Sequence, residues 1–246
     1  MCPSYPGRFV KTGGGRCDGL TRRDSRVLLA CGFFASTFVV LAVLVAADVA
    51  QPFDRYAVRH LMPGLGADFQ KPSLPGRLIP FLGEAQRHAD TFQHAIRVIT
   101  FPASALASLV LLTIGCFLLW RRGERPSALT WATVWALAIA IELICEALVR
   151  HEPLLLVSPD RAPRQVTFGN SFPSGHAIRA TLLGALAGRL SRRVLPYVLV
   201  WTGAVAVGLE LAAVHTPTDI LGGLLLAAFL LTSAKLASRV LSRPRP

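Results

Sequence analysis

With 246 residues, 52% apolar and only 16% charged, the chain is too hydrophobic for a disordered protein and short of the roughly 25% charge usual in soluble domains. Its five cysteines are odd in number and lack metal-ligand spacing, which excludes a disulfide scaffold and a cysteine-built zinc site. The net charge of +12 points by itself to nucleic acid or an acidic membrane surface, and its distribution decides between them.

Residues 1–26 form a basic, polar leader. An apolar run at 27–47 follows. It exceeds the 7–15 residues of a signal-peptide core, so it reads as a retained anchor. Leu28, Leu29, Ala30 and Cys31 look like a lipoprotein cleavage site, but they open the apolar run where a true site closes one. The segment near 48–97 carries Gly64, Gly66, Pro72 and Pro75, which interrupt regular structure and predict a long loop. Its later part, 83–100, sets Ala85, Phe92, Ala95, Ile96 and Ile99 among polar residues, a spacing that predicts an interfacial amphipathic helix. Further apolar runs lie at 98–120, 128–149, 176–190, 194–214 and 219–238. A bilayer-spanning helix needs about 20 mostly apolar residues, so six spans are expected. The run at 176–190 is the weakest, being short and carrying Arg179. The fold class is all-α: a polytopic membrane protein with a leader at 1–26, a six-helix domain at 27–241 and a tail at 242–246.

Orientation follows the Lys/Arg bias of the flanking segments. Segments 1–26, 121–125, 189–193 and 235–246 hold 16 of the 26 basic residues, and they fall on one side of the six spans. That side is expected to be cytoplasmic, with both termini inside. The loops near 48–97 and 150–175, and the tight connection at His215, are then external. The inner segments carry a net +13 and the rest of the chain −1. The charge excess therefore records topology in a plasma membrane rather than nucleic-acid binding.

Two polar sequences lie at external helix ends. In the first, Ser171 to His176, Ser174 is a good N-cap and Gly175 and His176 open the helix. A helix N-terminus offers free backbone N–H groups and a positive dipole to an anion. Glycine permits close approach, and a histidine there can protonate a departing oxygen. In the second, His215 to Asp219, Thr216 is a cap, Pro217 the first helical residue and Asp219 a capping-box acid. Asp219 is also placed to accept from one ring nitrogen of His215, leaving the other to attack.

Together these motifs resemble the type 2 phosphatidic acid phosphatase family, which includes the vanadium haloperoxidases. The family pattern is Lys-(six residues)-Arg-Pro, then Pro-Ser-Gly-His, then Ser-Arg-(five residues)-His-(three residues)-Asp. The second motif is intact at Pro173–His176. The third retains His215 and Asp219, followed by Ile220, Leu221, Gly222 and Gly223. The resemblance covers roughly 27–238 and implies a six-helix bundle of that family. It implies that His215 attacks phosphorus, Asp219 orients it, His176 protonates the leaving group, and Ser174 and Gly175 hold phosphate oxygens. It implies no metal and no cofactor, and as partners a lipid phosphate substrate and the bilayer. The chain departs from the pattern at three cations: Cys145 and Glu152 stand at the first-motif Lys and Arg positions, and Gly208 and Leu209 replace the third-motif Ser and Arg. Arg179 and Arg164 are the first candidates to replace them, then Arg161 and Arg150. An intramembrane cluster is also expected, in which Arg179 pairs with Glu146 or Glu210, with Glu142 one turn deeper.

The function expected is hydrolysis of a lipid phosphate or diphosphate at the external face. Phosphotransfer from the same histidines, and a silent protein that binds lipid phosphate or a partner, are the alternatives. A haloperoxidase is disfavoured, because the vanadate-binding cations are missing. His60, His88, His94 and His151 are expected at surfaces or headgroups, and Trp120, Trp131, Trp135 and Trp201 at interfaces or in packing.

Overall fold

The computed structural model describes residues 22–61, 94–149, 170–211 and 215–241, and among them every regular element is a helix. Helix α1 is Arg22–Ala46 and α2 is Gln51–Leu61. The first arm of a bent pair, α3, is His94–Ala103, and the second, α4, is Ala105–Arg121. They are followed by α5 (Arg125–Leu148), α6 (Gly175–Leu190), α7 (Leu195–Leu211) and α8 (Pro217–Leu241).

Among the described residues four helices are long and apolar enough to cross a membrane, at Asp24–Ala46, Arg125–Leu148, Arg192–Glu210 and Pro217–Arg239, and the bent pair makes a fifth if counted as one span. The expected six are therefore not all met, because α6 has only 16 residues. The expected straight run at 98–120 is also corrected. The chain bends by 44° between α3 and α4. Pro102 tightens the end of α3 into a 3-10 turn, and Ser104 adopts an extended conformation (φ −64°, ψ 157°) before α4 starts. Proline and such a break are the ordinary causes of a sharp kink. The segment expected to be a long loop gains an element, α2, that its sequence did not announce. Of the amphipathic helix expected over 83–100, only 94–100 lies within the described residues, and there it is helical and leads into α3.

The weak span α6 is the centre of the bundle. Ala177, Ile178, Ala180, Leu182, Leu183 and Leu186 are buried along it, and α4, α5, α7 and α8 all pack on it. Small residues allow the close approach: Gly115 of α4 faces Leu186, and Gly184 faces Val198 and Thr202 of α7. Close packing over small residues is how helices associate in lipid, where water does not drive them together. A helix surrounded by protein has no need of a lipid-soluble surface. The outer helices do need one: Leu29, Phe33 and Val40 on α1 and Leu106, Val110 and Phe117 on α4 stand exposed. This is an integral membrane protein.

Cross-links fix the direction of each helix. Cys31 Sγ lies 3.2 Å from Ser233 Oγ, and Arg239 Nη1 3.6 Å from Asp24 Oδ1, so α1 and α8 run antiparallel. The Ser174 amide donates to the Asp219 carbonyl at 2.9 Å, so α6 and α8 start at the same end and run parallel. At the other end Arg122 donates to the Leu190 carbonyl at 3.0 Å and Arg189 pairs with Glu124. Trp201 donates to the Ile99 carbonyl at 2.9 Å, tying α7 to α3. Trp135 is buried, while Trp120 is exposed beneath the Arg125 guanidinium.

Candidate active site at the paired helix N-termini

Parallel α6 and α8 bring the two motifs side by side. Gly223 makes this possible, because a Cβ there would lie 2.6 Å from the Ser174 carbonyl oxygen and 2.9 Å from the Ala177 methyl. Gly222 plays the same part against Phe172, whose ring fills the Cβ space and stacks on Phe38 of α1 with centroids 5.9 Å apart. The paired glycines after Asp219 thus have a packing reason.

The histidine rings face each other across this junction, with centroids 6.3 Å apart and planes inclined by 58°. Behind His215, its Nδ1 lies 3.5 Å from Asp219 Oδ2, within ion-pair distance, though no hydrogen bond is made at Nδ1 among the described residues. Asp219 is fully buried. It also completes a capping box: Thr216 N donates to Asp219 Oδ2 at 3.0 Å, and Asp219 N donates to Thr216 Oγ1 at 3.2 Å. The capping box and the contact with His215 therefore coexist on one carboxylate.

Ser174 is the N-cap of α6. Its hydroxyl accepts from Ala177 N at 3.4 Å, and the residue is fully buried. Its own amide is used on Asp219, so Gly175 and His176 carry the first-turn N–H groups with no helical acceptor.

Arg179 lies one turn further along α6. Its Nη1 donates to both oxygens of Glu142 at 2.9 Å, and its Nε donates to the Ala103 carbonyl at 3.0 Å. This corrects the expected pairing with Glu146 or Glu210. The opening at Gly175 explains it: a Cβ there would collide with Glu142 Oε1 and come within 2.5 Å of Arg179 Nη2. The carboxylate of Glu142 fills the space that glycine leaves. The break at Ser104 leaves the Ala103 carbonyl outside the helical ladder of α4, where it serves as the third acceptor. Glu146 instead lies close to the described loop, with its carbonyl accepting from Asn170 Nδ2. Glu210 Oε1 is buried with no hydrogen-bond partner among the described residues.

The positions where the family carries cations are packed. Leu209 is buried in an apolar cluster with Ala177, Ala180, Val205 and Ile220, Gly208 faces Ile96 of α3, and Cys145 packs against the main core. Arg150, Arg161, Arg164 and Glu152 lie outside the described residues, as do His88 and His151. Among the described residues, no three histidine, cysteine or carboxylate side chains are grouped as they would be around a metal ion.

One further residue enters that the motifs do not contain. Asp54 of α2 is fully buried and accepts from Thr218 N at 3.1 Å and from Thr218 Oγ1 at 2.6 Å. Its signal in the sequence was slight: Pro52 at a helix start, with Ala57 on the same face three residues on.

The fold and the paired motifs together define an all-helical membrane protein built around two histidine-bearing helix N-termini. Residues 146–243, which hold α6, α7, α8 and both motifs, match the model of the PAP2 superfamily. The fold of nearly the whole chain is also that of the crystal structure of a transmembrane PAP2 type phosphatidylglycerolphosphate phosphatase from Bacillus subtilis. The identity is 18%, the TM-score 0.60, and the match covers 92% of this chain and 100% of that one. No curated protein sequence matches.

Proposed function

We propose that this protein is an integral-membrane phosphatase that hydrolyses a lipid phosphate or diphosphate through a phosphohistidine on His215. The observation that carries this reading is the pair of facing histidine rings, 6.3 Å apart, with a buried carboxylate behind one of them. Phosphoryl transfer depends chiefly on positioning and on charge stabilisation, and the site supplies both. With Nδ1 of His215 turned to Asp219, Nε2 is the attacking atom. It forms the P–N bond as the bond from phosphorus to the lipid oxygen breaks, and His176 gives that oxygen its proton. Water then attacks phosphorus, His176 takes a proton from it, and the P–N bond breaks to release phosphate and restore His215. The amides of Gly175 and His176 at the positive end of α6 hold phosphate oxygens, with Ser174 shaping that turn. Arg179 Nη2, beside Gly175, is the guanidinium donor assigned to the phosphate from α6. Arg164, Arg161 and Arg150 are assigned to the same task from the segment that precedes α6 in the sequence. No metal takes part. The Lys/Arg bias supports both termini in the cytoplasm, a plasma-membrane location and an external site.

One observation favours a binding-only reading: Arg179 is already engaged by Glu142 and the Ala103 carbonyl. The discriminating experiment uses the purified full chain in detergent with a chelator, assayed against phosphatidic acid, phosphatidylglycerol phosphate and a polyprenyl diphosphate. Phosphate release that disappears in His215→Ala supports the phosphatase. Transfer of labelled phosphate to an alcohol acceptor would make the protein a phosphotransferase. Full activity in His215→Ala removes the assigned nucleophile, and turnover on none of the substrates supports binding alone.

A further inference from the structure

The first turn of α8 presents the nucleophile and its carboxylate, and every one of its amides is accounted for. Pro217 has none. Thr218 N is on Asp54 Oδ1, Asp219 N is on Thr216 Oγ1, and Ile220 N reaches the Thr216 carbonyl at 3.1 Å. The side chains form a chain whose polarity can be deduced. Asp54 Oδ2 is acceptor-only, so Thr218 Oγ1 donates to it, at a distance of 2.6 Å. Thr218 has then used its single proton, so in the 3.0 Å bond between the two hydroxyls Thr216 is the donor. Thr216 Oγ1 in turn accepts from Asp219 N. Every donor in the chain points toward Asp54. Aligned bonds of this kind strengthen one another in a low-dielectric interior, and bonds to a charged acceptor are the strong ones.

We propose that Asp54 is a positioning residue for the His215–Asp219 pair, acting from α2 through Thr218 and Thr216. The assignment rests on the phosphatase reading above. Asp54 acts through its bonds to Thr218, the residue before Asp219. It closes the first turn of α8 from outside, and so fixes the backbone from which Asp219 reaches His215 Nδ1. A carboxylate is required because it alone accepts from both the amide and the hydroxyl of Thr218. In Asp54→Asn the amide nitrogen opposes one of those donors, and the hydroxyl chain must reverse.

The test measures kcat and KM in the full-length protein for Asp54→Asn, Thr218→Val and the double variant, with His215→Ala alongside. Loss of an outer hydrogen-bond partner commonly lowers activity by about ten- to a hundredfold. That loss is expected in kcat for both single variants, with KM held within about threefold. The double variant is expected to be no worse than Asp54→Asn, because contacts in one network are not additive. Thr218→Val keeps the amide bond to Asp54 and the side-chain volume, so it reports on the chain even if Asp54→Asn fails to fold. Unchanged kcat in Thr218→Val, multiplicative losses in the double variant, or losses appearing in KM alone would overturn the proposal. If His215→Ala is active, it is the phosphatase reading that fails, and the same series distinguishes the two.

Discussion

The two helices that meet at the site begin in opposite ways. The start of α8 is closed: a proline stands where the first amide would be, and the next two amides are held by Asp54 and Thr216. The start of α6 is open: Ser174 caps Ala177 through a long 3.4 Å contact, and the amides of Gly175 and His176 have no acceptor within the helix. A closed turn has no donor left for an anion but holds its side chains rigidly. An open turn is a poorer cap and a better anion site. The difference divides the labour. In the proposed mechanism His215, the nucleophile, stands just before the closed turn and Asp219 within it, while His176, the proton donor, opens the turn left to receive an anion.

The largest effect expected is on the closed side. His215→Ala should reduce phosphate release by about a thousandfold or more, since loss of a nucleophile removes the covalent route altogether. Assay of the purified variant in detergent checks this. On the open side, His176→Ala should cost about 10²–10⁴-fold, the range of a general acid. A phosphate ester with a strongly acidic leaving alcohol should recover most of that loss, because its oxygen needs no proton. Equal losses on both esters would remove His176 from the acid role.

Stability should follow the same division. Glu142→Ala leaves Arg179 without its carboxylate in a largely buried position, and breaking such a pair costs about 3–5 kcal/mol. Thermal unfolding in detergent would register it, and a variant that also replaces Arg179 by Met should regain much of the loss. Thr216→Ala removes a cap that is fully buried and doubly bonded, and should cost about 1–2 kcal/mol, the upper range for such caps. Ser174→Ala breaks only the long contact and should cost about 0.5–1 kcal/mol. If Ser174→Ala proved the more damaging, the contrast between the two turns would be wrong.

Much of this was legible in the sequence, and the reasons are local. Apolar runs of sufficient length announce helices, and both N-termini carry their caps within four residues of the histidines. The fold class and the pairing of the motifs follow from these. The kink was less legible although its cause, Pro102, stood in plain view, because apolar content alone does not record a break. What was not legible depends on how helices lie against one another. The partner of Arg179 is Glu142 and not Glu146, because Gly175 opens a space that counting from helix ends cannot reveal. Asp54 lies 164 residues from Thr218, in a segment that reads as loop, so no spacing rule connects them. The fate of the missing family cations was half legible. The substitutions could be read directly, but not that Leu209 is embedded among Ala177, Val205 and Ile220, where a guanidinium would need the cluster rebuilt.

The enclosure of α6 bears on how the protein is made. At 16 residues the helix is about 24 Å long, short of the roughly 30 Å hydrocarbon layer, and it carries an arginine that costs about 2.5–3.5 kcal/mol to insert. Such a segment does not partition from the translocon into lipid by itself. It enters against α5, whose Glu142 neutralises that arginine. It is enclosed when α7 and α8 pack on it, so the histidine-bearing end takes shape only after α8 has been made.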